Sequence, residues 1–146
     1  MAEPTAYTDA QAQNDISRNV RQYKDLDLFF DKKNVSKDIT KITDIAAVKR
    51  SIRNLVLTNH YEKPFHPEIG SGVRDMLFEP MSLLTAHVLT RKIEDVIENF
   101  EPRAKIISVS AQPNLDRNEY RVTINFFVLN APTELVDLTL FLERLR

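Results

Sequence analysis

The chain has 146 residues, of which 42% are hydrophobic and 28% are charged, and its formal net charge is −1. This length suits one domain with a single core, and the near-neutral charge argues against a nucleic-acid-binding surface. The absence of cysteine excludes disulfide bonds and thiolate catalysis. The start of the chain lacks signal-peptide features and no apolar run is long enough to span a bilayer, so we expect neither export nor membrane insertion.

The N-terminal residues 1–24 are polar, with only scattered large apolar side chains, so we expect an arm that cannot form a core by itself. Residues 25–146 are expected to form the single domain. Within it, the segment 25–31, DLDLFFD, alternates apolar and acidic residues, which predicts a strand. A polar turn follows, and residues 38–42 are expected to return as a short antiparallel partner.

The first predicted helix follows this hairpin. Thr43 or Asp44 can act as its N-cap, and apolar residues recur at helical spacing until about Asn59. Residues 60–80 contain three prolines and both glycines of the chain, which predicts a structured loop. Within this loop, the Gly-Ser-Gly segment 70–72 permits a positive φ or the close approach of two backbone segments, and one short helix is expected after it.

The second predicted helix has the clearest apolar stripe in the chain. Ser82 or Thr85 can cap it, and apolar residues follow at helical spacing. Pro102 has no backbone N–H and disfavours a helical conformation at Glu101, so the helix should end close to Phe100. Its apolar face is expected to cover the sheet that follows.

The tripeptide Glu101-Pro102-Arg103 forms a charged turn after this helix, which we call the elbow. Arg103 suits the negative end of the helix dipole, whereas Glu101 is unfavourable there by about 0.3–1 kcal/mol when exposed. Local spacing alone favours a helix stop with solvated charges over a binding role. The unfavourable position of Glu101 nevertheless suggests that another group holds its carboxylate.

The C-terminal part of the chain alternates with the period of two that is typical of strands. Ile107, Val109 and Ala111 predict one strand, and residues 120–128 predict a stronger strand that pairs with it. Residues 132–146 fit either a strand or a helix, and four successive alternations favour a strand. A terminal strand can leave one sheet edge open to another chain. The elements together predict an α+β fold with a small, mostly antiparallel sheet packed against two or three helices.

Residue spacing gives no support for a metal, a cofactor or a catalytic nucleophile. The three histidines are not spaced as zinc ligands, and no G-x-S-x-G motif is present. The carboxylates that could form the acid pair of a glycoside hydrolase are Glu79, Glu94, Glu98 and Glu101. The 21 acidic residues of the chain provide such pairs by chance, so these four carboxylates do not indicate an enzyme. We therefore expect no enzymatic activity, and the motifs above give no reason to expect a cofactor or a metal.

Four stretches of the sequence carry a family resemblance. They are DLDLFF, the helix and loop AVKRSIRNLVLTNHYEKPFHPEIGSGVRDMLFEP, the Glu-Pro-Arg elbow and the final DLTLFLERLR. Over residues 25–146 they resemble the small baseplate wedge proteins of T-even-type contractile-tailed phages, also labelled lysozyme-like. The combination of PFHPEIGSG with a later Glu-Pro-Arg is the most specific part. His60, Tyr61 and His66 depart from what this resemblance leads us to expect in the loop.

The resemblance implies a structural subunit of the baseplate wedge, related to a baseplate component of type VI secretion systems. A helical bundle of larger wedge proteins would then contact the elbow residues Glu101, Pro102 and Arg103. The first ring of tail sheath protein would add strands to the edge formed by Val136, Leu138, Leu140 and Leu142. In this way the subunit would initiate the contractile sheath.

The resemblance also implies a position in the tail baseplate of the virion, with six copies and with assembly in the host cytoplasm. Contacts with the tail tube or hub belong to this expectation, whereas contacts with nucleic acid do not. The lysozyme-like label supplies an alternative from another class, a peptidoglycan hydrolase that acts at the tail.

Overall fold

The computed structural model describes residues 23–28, 39–129 and 131–144, apart from the side chains of 131–133. Within these ranges the chain forms three helices and two antiparallel sheets. The arm predicted for residues 1–24 lies almost entirely outside them, as do the end of the first predicted strand and the turn after it. None of the helices that the structure describes combines the length and apolarity needed to cross a bilayer.

The elements confirm the predicted α+β fold, with every sheet pairing antiparallel. The small sheet pairs β1 with β2, and the large sheet has the order β3-β4-β5. The C-terminal segment is a strand, as its alternation predicted. In chain order the bounds are β1 Lys24–Leu26, β2 Lys41–Thr43, α1 Asp44–Leu57, α2 Val73–Met76, α3 Leu83–Phe100, β3 Ala104–Asn114, β4 Glu119–Val128 and β5 Ala131–Glu143.

Helix α1 begins where the small sheet ends. Thr43 occupies the N-cap position, but its side chain makes no capping hydrogen bond. Asp44 instead has a φ of 49° and fixes the junction, because its N–H donates to the Tyr23 carbonyl at 2.7 Å and its Oδ1 accepts from the Tyr23 N–H at 3.2 Å. The helix ends at Leu57, close to the predicted end. This junction ties β1 to the start of α1.

The core lies between the helices and one face of the large sheet. The central strand β4 supplies the residues that alternation predicted, and all of them are fully buried: Tyr120, Val122, Ile124, Phe126 and Val128. Helix α3 packs mainly against β3, whereas α1 approaches β4 and β5. The Oγ of Ser82 caps α3 by accepting from the Thr85 N–H at 3.0 Å, as predicted. Helix-on-sheet layering is therefore confirmed.

Strand β3 departs from the predicted alternation at Ile107. The register with β4 shifts between Ile106 and Ser108, which marks a β-bulge. Ile106 and Val109 therefore pack against the core, while Ile107 is 51% exposed. The prediction that Ile107 shares a face with Val109 is wrong, because an extra residue in the strand interrupts the alternation.

Both glycines of the loop after α1 have the roles that were predicted for them. A Cβ on Gly70 would lie 2.4 Å from the backbone nitrogen of His60, so two backbone segments approach closely there. Gly72 has a φ of +56°. Between them, Ser71 is buried and its Oγ donates to the Val56 carbonyl at 2.6 Å. This hydrogen bond connects the loop to the last turn of α1.

Candidate functional site

The elbow begins at the end of α3, where Glu101 occupies the C-cap position. Its backbone N–H donates to the Ile97 carbonyl at 2.9 Å, and the Ala104 N–H donates to the Glu101 carbonyl at 3.1 Å. The Glu101 residue is only 3% exposed. The expectation that both charges of the elbow are solvated is therefore wrong for Glu101.

Two side chains hold the Glu101 carboxylate inside the chain. Arg103 donates from Nε to Oε1 at 2.6 Å and from Nη2 to Oε2 at 2.8 Å, which is a bidentate pairing. Ser51, in the middle of α1, donates its Oγ proton to Oε2. Another group thus holds this carboxylate, as suggested, but it belongs to this chain and not to a missing partner. Ser51 lies 50 positions earlier in the chain, so sequence spacing gave no signal for it.

The electrostatics keep this pair ionised. Burial raises the pKa of Glu101, but the hydrogen bonds from Arg103 and Ser51 lower it more, so the pKa lies below its ordinary value. The hydrogen bond with Glu101 likewise raises the pKa of Arg103. A general acid needs a raised carboxyl pKa, so this environment does not suit Glu101 to that role.

Arg103 joins three parts of the fold at the elbow. Its guanidinium carbon lies 5.4 Å from the centre of the Tyr23 ring, next to β1, which is a cation–π contact. Its carbonyl accepts from the Leu129 N–H at 3.0 Å, next to the turn between β4 and β5. Pro102 is exposed between its two paired neighbours. The elbow therefore presents Pro102 on a rigid base.

An open groove of about 500 Å³ adjoins the elbow. Phe100, the last residue of the predicted apolar stripe, is half-buried in its wall rather than fully buried in the core. The groove is bordered by Asp25, Ser51, Asn54, Leu55, Thr58, Glu62, Lys63, Ile69 and Phe100. Its lining is partly polar and partly apolar.

The predicted sheath-facing residues of β5 point into the core. Val136, Leu140 and Leu142 are 3–4% exposed, and Leu138 packs partly buried against the core cluster. Each of the four lies opposite a buried residue of β4. Their side chains therefore pack within the chain, which leaves the backbone edge and the opposite face of β5 on the outside of the sheet.

The opposite face of β5 carries apolar and acidic residues. Leu135 is 58% exposed and Phe141 is 55% exposed, and Asp137 and Glu143 are exposed beside them. Strand β5 is the last strand of the sheet order, and the described residues place no strand on its far side. This edge is the second candidate surface.

The remaining candidate residues do not converge on a catalytic or metal site. His66 is exposed, with its Nδ1 3.1 Å from Glu68 Oε1. Across the described parts of the chain, no group of three His, Asp or Glu side chains is arranged to hold a metal ion. Among the other histidines and the carboxylates that were considered for glycoside cleavage, Glu94 is half-buried. Four of these residues are exposed: His60, His87, Glu79 and Glu98.

The sequence matches known baseplate proteins. The model of the family described as baseplate wedge protein gp25 matches residues 43–133, which include α1, the elbow and the start of β5. The baseplate wedge protein gp25 of Enterobacteria phage T4 is 32% identical over 105 residues, covering 72% of this chain and 80% of that protein. The predicted family resemblance is thus confirmed at the level of sequence.

Solved structures share the fold. A Geobacter sulfurreducens protein, provisionally named a tail lysozyme, has a TM-score of 0.63 and 22% identity over 68% of this chain and 89% of its own. A chain in the baseplate complex of the type VI secretion system has a TM-score of 0.54 and 17% identity over 68% of this chain and 93% of its own. At these identities the likeness establishes the fold alone. From the sequence matches, the chain belongs to the gp25 family of baseplate wedge proteins.

Proposed function

We propose that this chain is a non-enzymatic structural subunit of a contractile-tail baseplate wedge. It docks on larger wedge proteins through the elbow, and it templates the first ring of the sheath through the edge of β5. Family membership supports the baseplate role. The observation that carries the docking role is the buried Glu101 carboxylate, which Arg103 and Ser51 hold so that the turn at Pro102 is fixed.

The elbow suits a docking contact because it is already ordered. The bidentate ion pair and the Ser51 hydrogen bond fix both residues that flank Pro102. Binding to such a surface costs less conformational entropy than binding to a flexible loop that must become ordered in the complex. In this proposal Glu101 acts as an internal brace, while Pro102, the exposed part of Arg103 and the adjoining groove meet the wedge bundle.

Capture of the larger wedge proteins tests the docking role. Immobilised full-length chain is mixed with the purified larger wedge proteins of the same tail, and the wild type is compared with Pro102→Glu. The new charge lies on an exposed residue, so the variant should fold but lose capture, because a buried unpaired charge opposes binding.

The matched control for this experiment is Leu115→Glu. Leu115 is 70% exposed in the turn between β3 and β4, away from the elbow. This variant adds the same charge to the surface and should capture wedge proteins as the wild type does. Equal capture by Pro102→Glu and wild type would show that the elbow is not the wedge contact.

Sheath polymerisation tests the templating role. An exposed strand edge can accept a strand from another chain through backbone hydrogen bonds, and β5 ends the large sheet. Wedge complexes that contain the chain should therefore shorten the lag of sheath polymerisation, compared with wedge complexes that lack it. An unchanged lag in the presence of wild-type complexes would contradict the templating role.

We also propose that the chain has no cell-wall activity, in keeping with relatives that are baseplate structural proteins. The ionised, internally paired state of Glu101 supports this assignment. Folded chain incubated with purified peptidoglycan should release no reducing sugar. Sugar release that Glu94→Gln or Glu98→Gln abolishes would instead establish the hydrolase alternative.

We propose that the subunit lies in the tail baseplate of the virion, in six copies, and that it assembles in the host cytoplasm. Contacts with the tail tube or hub are part of the same proposal. Quantitative mass spectrometry of purified tails should give six copies of this chain per tail. A different copy number would contradict the sixfold arrangement without bearing on the two contact surfaces.

A further inference from the structure

The large sheet has two outer strands, and they differ in their suitability for accepting another strand. Strand β3 contains the bulge at Ile107, a proline at position 113 and the exposed Lys105. Bulges, prolines and exposed lysines are the features that protect sheet edges from strand addition. Strand β5 keeps an unbroken register with β4 from Leu135 to Glu143. The geometry therefore favours β5 as the accepting edge.

Two carboxylates on the outward face of β5 have no cationic residue directly opposite them on β4. Asp137 lies opposite Asn125, and Glu143 lies opposite Glu119. Glu119 is itself 3.9 Å from Arg117, whereas neither Asp137 nor Glu143 forms an ion pair with any residue that the structure describes. Like charges directly opposite each other destabilise a strand pair. Both carboxylates are thus without an ion-pair partner among the described residues of the sheet.

An aromatic side chain lies between these two charges on the same face. Phe141 is 55% exposed, and its inner neighbour on β4 is Arg121, whose guanidinium carbon lies 5.5 Å from the ring centre. This cation–π contact holds the ring in place on the sheet surface. Since side chains alternate along a strand, Asp137, Phe141 and Glu143 all face the same way.

We propose that β5 accepts an extended segment of another protein that carries Lys or Arg beside both Asp137 and Glu143. The two basic residues lie six positions apart, with an apolar residue between them to pack on Phe141. Residues on the other face of the segment are apolar, because they extend the buried face that Leu138 and Leu140 form. The inference rests on the proposed strand-accepting role of β5, and it adds the chemistry that selects the strand.

Synthetic peptides test this inference on the full-length chain. Fluorescent peptides about nine residues long match the unbroken register of β5. One peptide carries Lys at the two positions beside Asp137 and Glu143, and a second carries Glu there. A third peptide replaces with Pro a residue of the Lys peptide whose backbone N–H would point toward β5. The Lys peptide should bind about tenfold more tightly than the Glu peptide, since opposed and like charge pairs across strands change affinity in opposite directions. The difference should shrink as salt is added.

Charge reversal on β5 locates the site. Asp137→Lys should remove most of the preference for the Lys peptide, and it should stay folded because Asp137 is exposed. The matched control Asp116→Lys, in the exposed turn between β3 and β4, should keep the full preference. The Pro peptide should bind weakly, because a missing backbone N–H interrupts strand addition.

Three outcomes would overturn the inference. They are equal affinity for the Lys and Glu peptides, no measurable binding of either, and equal loss of preference in Asp116→Lys and Asp137→Lys. If sheath polymerisation is still seeded by wild-type complexes in these cases, only the proposed charge selection is wrong. If seeding is absent as well, the templating role itself fails.

Discussion

The elbow and the β5 edge differ in which of their parts are exposed and which are held inside the chain. At the elbow, the charged side chains of Glu101 and Arg103 are paired with each other, and the exposed part is the turn at Pro102. At the β5 edge, the apolar side chains of Val136 and Leu140 are buried in the core, and the exposed parts are the backbone and the outward face.

Among the residues that the family resemblance assigns to contacts, Glu101 and the residues Val136, Leu140 and Leu142 of β5 are buried and support the surface from inside. Glu101 braces a turn, and the leucines of β5 anchor a strand to the core. Substituting these residues therefore measures fold stability first. Contact is tested at the exposed residues beside them, such as Pro102 at the elbow and Asp137 on β5.

The largest effect is expected inside β5. Leu140 is 4% exposed, so Leu140→Ala should lower the free energy of unfolding by about 2–5 kcal/mol through lost burial and a cavity. The neighbouring Phe141→Ala, at a residue 55% exposed, should cost less than about 1 kcal/mol. Urea denaturation compares the two variants. Similar losses would show that the two faces of β5 are not distinct.

At the elbow, Arg103→Ala should lower the free energy of unfolding by about 2–4 kcal/mol. The variant leaves the Glu101 carboxylate buried without its cation, and the expected loss lies somewhat below the usual range of about 3–5 kcal/mol for buried pairs because Arg103 is partly exposed. Arg103→Lys keeps the charge but loses the bidentate geometry, so an intermediate loss is expected. Wild-type stability in Arg103→Ala would contradict the bracing role.

Removal of the Ser51 hydroxyl should lower the stability of the fold by a smaller amount. Ser51→Ala deletes one hydrogen bond to a carboxylate that Arg103 still pairs, so a loss of about 1–2 kcal/mol is expected by urea denaturation. In the double variant with Arg103→Ala, the two losses should not add, because both side chains contact the same group. Simple additivity would show that they act separately.

Lowering the pH should gradually remove the stability that the pair of Glu101 and Arg103 contributes to the fold. Because the folded pKa of Glu101 is depressed, the pair contributes its full stability above the ordinary carboxyl pKa and loses it as the pH falls through the folded pKa. Unfolding free energies measured from pH 6 downwards should therefore decline less steeply in Glu101→Gln than in the wild type. The control Glu98→Gln, at an exposed helix position, should follow the wild type.

Much of this architecture was predictable because local patterns decided it. Helix α3 and strand β4 have apolar residues at the periods of a helix and a strand, and both form as predicted. The two glycines of the loop also marked real backbone constraints. In each case the signal lies within a few neighbouring residues.

The parts that could not be predicted depend on contacts between distant segments. Ser51 reaches Glu101 only because α1 packs beside the end of α3, and no local rule connects them. The bulge at Ile107 depends on the register with β4 rather than on the sequence of β3 alone. The misfit of Glu101 with the helix dipole predicted that it had a partner, and the fold supplied that partner from within the chain.

In the proposed function, the elbow and the β5 edge bind different partners. Hydrogen–deuterium exchange of the full-length chain, measured alone, with the larger wedge proteins and with sheath protein, tests this claim directly. We expect wedge proteins to protect residues 100–104 around the elbow and sheath protein to protect residues 134–143 of β5. Protection of one shared segment by both partners, or protection of β3 by the sheath, would contradict the account.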